Sequence, residues 1–137
     1  MINELLALRY EVVTQLHEDP VFTLYQAKDR HSGKDYLVRA LRSPFADVRE
    51  VRAALQSAFT ELNSVQVSRV EHYLLFDEHE GVPYVLSEVP LGAHLSERIK
   101  RLAPYSVPVS VAMAVKLLES LAALHQSGLA HGQLTAS

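Results

Sequence analysis

Residues Arg9 to Leu41 read RYEVVTQLHEDPVFTLYQAKDRHSGKDYLVRAL. Three runs rich in β-formers stand out: Arg9–Leu16, Val21–Lys28 and Asp35–Leu41. His17-Glu18-Asp19-Pro20 reads as the first turn, because Pro20 has no N–H for a central ladder. Asp29 to Lys34 reads as the second turn, carried by Ser32-Gly33. Connections this short join antiparallel neighbours, so the stretch predicts a three-stranded meander.

Outward from it, Ser43-Pro44 punctuates the chain. Val48, Val51, Leu55, Ala58 and Leu62 then recur at helical spacing, with Asp47 and Glu50 in the predicted first turn, where the helix dipole favours acids. Two more strands are predicted at Val70–Phe76 and Val82–Val89, joined by the polar hairpin Asp77–Gly81. A short helix follows over Leu95–Leu102. Pro104 and Pro108 bracket a linker, and Val109–Gln126 forms a long helix closed by Gly128. Strands gathered first and helices last predict an α+β fold, a five-stranded antiparallel sheet with one packed helix and then further helices. Residues 1–90 form the sheet-bearing domain and residues 91–137 a partial helical one.

The 137 residues suit one domain, or one and a half, and 48% hydrophobic with 21% charged residues is globular usage. A net charge of −3 speaks against a general binder of nucleic acid or anionic membrane. The chain has no cysteine, which excludes disulfides, cysteine-based zinc sites and thiol chemistry. The apolar stretch Val107–Leu124 is interrupted by Ser110, Lys116, Glu119 and Ser120, so no membrane insertion is expected. The N-terminus lacks a secretory pattern, which makes the cytoplasm the expected location.

Several short words, in this order, resemble bacterial serine/threonine protein kinases of the eukaryotic type. They are Arg9-Tyr10-Glu11, Leu24-Tyr25-Gln26-Ala27, His31-Ser32-Gly33-Lys34, Gly81 to Glu88, and Leu121–His125 with Gly128 and His131-Gly132-Gln133-Leu134. The resemblance covers nearly the whole chain. It implies a kinase small lobe followed by the first helices of the large lobe, ending at the start of the catalytic loop.

The departures matter as much. The family's phosphate-cradling GxGxxG places hold His17, Asp19 and Phe22. Glycine serves there because backbone amides must approach phosphate closely. His17 and Phe22 add bulk, Asp19 adds negative charge, and Pro20 removes a donor. The family's VAIK strand reads Tyr36-Leu37-Val38-Arg39. Leu37 replaces an alanine lining the adenine slot, and Arg39 replaces the phosphate-pairing lysine, a change of donor geometry. Arg39 is expected in a surface ion pair instead. An ungapped count puts Ala58 where the family's helix glutamate stands, with Glu61 three residues on. Gln133 occupies the place of the catalytic aspartate, and an amide cannot serve as a carboxylate base. Thr135 stands at the loop lysine.

The resemblance with these losses implies a degenerate, catalytically inactive pseudokinase acting in protein–protein interaction or signalling regulation. No catalytic residue, cofactor or metal is assigned. The alternatives are a nucleotide-binding pseudokinase and the N-terminal part of a longer kinase with residual activity. The helix Val109–Leu124 is apolar on most sides and predicts a homodimer or a protein partner.

Plainer readings hold elsewhere. The seven histidines match no zinc spacing. His72 and His79 with Glu71, Glu78 and Glu80 read as a solvated hairpin. Arg39, Arg42, Arg49 and Arg52 read as a solvated face. His131 matches a histidine that packs in the family's core, and Ser120 near His125 lacks a nucleophile elbow.

Overall fold

The computed structural model describes residues 1–66, 70–132 and 134. Gln133 and Thr135, and with them the comparison to the catalytic loop, lie outside the described residues. The chain divides into one unit of Met1–Ser64 with Glu71–Val89, and a second of Val65–Val70 with Pro90–Ser137.

The first unit is built on a sheet of six strands rather than five: β1 (Leu5–Leu6), β2 (Tyr10–Glu18), β3 (Phe22–Asp29), β4 (Asp35–Leu41), β5 (Tyr73–His79) and β6 (Val82–Glu88). The spatial order is β1-β2-β3-β4-β6-β5, and all pairs are antiparallel. The extra strand is two residues long, too short for periodicity to reveal. The first hairpin is tighter than the sequence suggested. His17 pairs with Leu24 and Glu18 with Thr23, leaving Asp19–Val21 as the connection.

Register assigns each side chain to a face. Tyr36 pairs with Ala27, Val38 with Leu86, and Ala40 with Tyr84, and all six are buried. Leu6 and Val12 join them, and Met1, Tyr10, Tyr25, Leu75 and Val82 pack around this core. Each valine or leucine so buried contributes about 1.5–3 kcal/mol. The alternate residues Leu24, Gln26, Leu37, Arg39, Val85 and Ser87 share the other face.

A 3-10 turn (Phe45–Asp47) leads into α1 (Arg49–Ser64), so Asp47 precedes the helix and only Glu50 lies in its first turn. Helix α1 meets β5 along its length. Phe59 and Phe76 stack with centroids 6.1 Å apart, and Arg52 bonds Glu78, Ala46 O and Gly81 O. The Asn63 amide brackets Tyr73, donating to its carbonyl at 2.6 Å and accepting from its N–H at 3.0 Å. This occupies both backbone groups of an edge-strand residue.

Asp29, at the end of β3, is fully buried. Its carboxylate accepts from Arg9 Nε at 3.0 Å and Nη2 at 2.7 Å, from Ser32 Oγ at 2.6 Å and from the His31 N–H at 2.9 Å. The sequence reads this residue as the start of the second turn, whereas the structure makes it the last residue of β3.

In the second unit, α2 (Leu95–Leu102) and α3 (Val107–Gln126) are the helices. Ser106 caps α3 and Pro108 sits in its first turn, where a missing N–H costs nothing, so Pro108 starts the helix rather than bounding a linker. Gly128 follows the C-cap at φ +78°, a left-handed conformation glycine adopts freely. Helix α3 differs from its sequence reading in apolar length alone. At 20 residues and mean hydropathy 1.7 it is long and apolar enough to cross a bilayer, since its interruptions do not offset its valines and leucines.

The carboxylate of Asp29 is held well below the usual range, first by the Arg9 hydrogen bonds and then by Ser32. A depressed folded value contributes stability that is fully present above the unfolded value of about 3.9 and is lost as pH falls below it toward the folded value. The melting temperature of the wild type is therefore expected to fall more steeply between pH 6 and 2.5 than that of Asp29→Asn. At pH 7 the variant is expected to melt lower by roughly 5 °C or more. Thermal unfolding followed by circular dichroism across that range measures both.

Candidate functional site

The residues singled out in the sequence gather on two parts of the first unit: the hairpin between β2 and β3, and the sheet face opposite the core. The hairpin comes first, because its backbone decides what it can bind. The Asp19 carboxylate accepts from the Val21 N–H at 2.7 Å and from the Phe22 N–H at 2.8 Å. The Asp19 N–H itself donates to Phe22 O at 2.9 Å, closing the turn. Pro20 has no N–H. Every amide from residue 19 to 22 is thus consumed or missing.

The two amides hold the Asp19 carboxyl below its ordinary range, with smaller help from His17 and Arg39. Arg42, just after β4, braces the turn, donating to Asp19 O at 2.7 Å and pairing with Glu18 at 2.8 Å. An anion approaching the tip meets a carboxylate and no free backbone amide from residue 19 to 22, the opposite of a phosphate nest. The sequence identified Asp19 as a misplaced charge. Its capping of the turn was also legible, because an aspartate opening a turn bonds the amides two and three residues on. His17 is exposed and Phe22 half-buried.

On the sheet face, β4 positions Leu37 between Gln26 of β3 and Ser87 of β6, and Arg39 between Leu24 and Val85. Both side chains are partly exposed. Among the described residues, Arg39 makes no ion pair. Its Nη1 reaches across β6 to donate to the Tyr73 hydroxyl at 2.9 Å. The expected surface ion pair gives way because Tyr73, two strands away in the sheet, presents a neutral acceptor on the same face.

The helix residues do not meet Arg39. Ala58 is exposed, and the half-buried face of α1 runs through Leu55, Phe59 and Leu62. Phe59 displaces Ala58 because its ring has a partner in Phe76. The exposed Glu61 accepts from Ser57 Oγ at 3.1 Å, one helical turn back. The Arg39, Arg42, Arg49 and Arg52 cluster does not act as one patch, since Arg39, Arg42 and Arg52 are each tied to a different partner.

His131 is exposed rather than packed in a core. Ser120 Oγ donates to Lys116 O at 3.0 Å, a back-bond within the helix that leaves it no base. The hairpin read as solvated holds His79 half-buried. His79 pairs with Glu4 at 3.0 Å, a residue no local motif could have linked to it.

No family model matches the chain. Among curated proteins it is 23% identical over 131 residues to one named "probable serine/threonine-protein kinase" from Clostridium perfringens, covering 96% of this chain. It is 22% identical over 126 residues to one of the same description from Bifidobacterium longum, covering 90%. The chain spans 19% and 17% of the length of these relatives.

These relatives overturn the expectation that the chain is no enzyme. Proteins named as kinases align along nearly all of it, and at such distance the altered positions do not establish inactivity. Among solved structures, the kinase domain of PknI from Mycobacterium tuberculosis matches with a TM-score of 0.74 and 17% identity, over 99% of this chain and 56% of that one. Another crystallised kinase domain matches with a TM-score of 0.78 and 17% identity, over 99% of this chain and 40% of that one. The sheet of the first unit, α1, and the helices α2 and α3 are thus those of the protein kinase fold: the small lobe and the beginning of the large lobe.

Proposed function

We propose that this chain is a signalling module of kinase-like fold that works through protein–protein contacts, as part of a longer cytoplasmic protein, and that nucleotide contributes little to its function. The observation that carries this reading is the β2–β3 hairpin. In it the Asp19 carboxylate takes the Val21 and Phe22 amides that a phosphate would need. Leu37 supports it from the same region. It stands on the face of β4 opposite the core, beside Gln26 and Ser87, where a branched side chain narrows the space for a flat base.

A nucleotide site with micromolar Kd would add about 2.7 kcal/mol to stability at a hundredfold ligand excess. The expected result is no saturable rise in melting temperature with magnesium-ATP at micromolar concentrations. A saturable rise overturns this part of the reading.

The partner surface is α3. Val107, Val111, Val115 and Leu118 follow one another at spacings of four, four and three along it. They are 76%, 54%, 46% and 62% exposed, and the one buried residue of the helix is Leu124. Such a stripe favours cover by protein. A bilayer is disfavoured because Lys116 lies near the helix centre, where a charge costs about 2.5–3.5 kcal/mol. In the isolated chain the cover is a second copy, two-fold pairing being the commonest arrangement.

Light scattering after size exclusion is expected to give a dimer. Leu118→Asp is expected to dissociate it without lowering the melting temperature, whereas Leu124→Asp unfolds the chain. A monomer across a hundredfold concentration range argues against self-association.

The second reading is the N-terminal part of a longer serine/threonine kinase, favoured by the names of the curated relatives, of which the chain spans less than a fifth. Transfer of labelled phosphate from ATP to a generic protein substrate, above a no-protein control, selects that reading.

A further inference from the structure

We propose that Glu4, His79 and Glu80 form a binding site for a divalent transition-metal ion, Zn²⁺ by the chemistry of its donors. The donor atoms of the three side chains lie within 4.8 Å of one another. They come from separate parts of the first unit. Glu4 precedes β1, His79 ends β5, and Glu80 opens the β5–β6 hairpin with φ at +49°. His79 Nε2 and Glu4 Oε2 are already 3.0 Å apart.

All three residues line a cavity of about 410 Å³, together with Thr23, Tyr25 and Arg42. The cavity leaves room for a metal-bound water. Arg42 does not neutralise the carboxylates, since its guanidinium serves Asp19 O and Glu18. The Met1 ammonium sits 3.2 Å from the other oxygen of Glu4. Among the described residues, no hydrogen bond or ion pair holds the Glu80 carboxylate.

The arrangement suits a metal for three reasons. Zn²⁺ binds imidazole nitrogen and carboxylate oxygen at about 2.0–2.2 Å, and tetrahedral donors at that radius stand about 3.3–3.6 Å apart. The His79–Glu4 pair is already near that separation. Glu80, exposed at a turn, has its donor within 4.8 Å of the other two. Two carboxylates so close repel each other, and a dication removes the repulsion while using the imidazole lone pair. The mixed nitrogen and oxygen set favours Zn²⁺, Co²⁺ or Mn²⁺ over Ca²⁺, which takes oxygen donors in larger number. Once bound, the ion would fasten the N-terminal segment to the β5–β6 hairpin.

The test uses the full chain and the metal alone. Titration with Co²⁺ is expected to produce visible absorption bands that saturate at one equivalent and are displaced by Zn²⁺. Zn²⁺ is expected to raise the melting temperature, and EDTA to reverse the rise. His79→Ala and Glu80→Gln are each expected to weaken binding at least tenfold, whereas His17→Ala, at an exposed histidine elsewhere, leaves it unchanged. Glu80 is exposed, so its variant folds and keeps the test decisive. Absence of a saturable one-equivalent signal overturns the proposal. So does binding that survives both His79→Ala and Glu80→Gln, which assigns the metal to other histidines.

Discussion

The buried carboxylate of Asp29 is the constraint on which the first unit depends. A buried acid without partners is costly, so its position is tolerated only where its lone pairs are filled. Here Arg9 approaches from the start of β2, while the His31 N–H and Ser32 Oγ close from the β3–β4 turn. Three parts of the chain are thus fastened at one point. Arg9 also lies over the Tyr10 ring at 5.2 Å, and Tyr10 packs edge-on against Tyr36 of β4. The anchor therefore continues directly into the core.

Register follows from that anchor, and the open face follows from register. A slip of one residue would exchange the two faces of β4. It would bring Leu37 and Arg39 into the core and expose Tyr36, Val38 and Ala40. The observed pairing buries the apolar alternates and leaves Arg39 beside Leu24 and Val85, free to reach the Tyr73 hydroxyl. The chemistry of the candidate site is a by-product of which alternates the core could accept.

The β2–β3 hairpin shows how a fold is kept while a local use of it changes. The strands on either side pair as the kinase fold requires. Between them, one carboxylate satisfies two amides, and Arg42, just after β4, secures the turn. The same backbone can donate to a bound anion or to its own side chain, not to both. Helix α1 makes a similar choice. Its face is set by where Phe59 finds Phe76 and where Asn63 finds Tyr73, so Ala58 is left in solvent.

The sequence by itself determined the strand runs of β2, β3, β4 and β6, the three helices, and the kinase-like order of elements. These depend on local periodicity, turn residues and caps, which act over a few neighbours. The resemblance read from it also marked His17, Asp19, Phe22, Leu37, Arg39, Ala58 and Gln133 as departures from the family's pattern. Tertiary structure decided the rest. The two-residue β1 carries too little pattern to be seen. The burial of Asp29 needs Arg9, and the Arg39 bond needs Tyr73, partners far away in the chain. The meeting of Glu4 with His79 and Glu80 depends on the N-terminal segment folding back against the β5–β6 hairpin. Contacts between distant segments are set by the packing of whole faces, and a one-dimensional pattern holds no term for them.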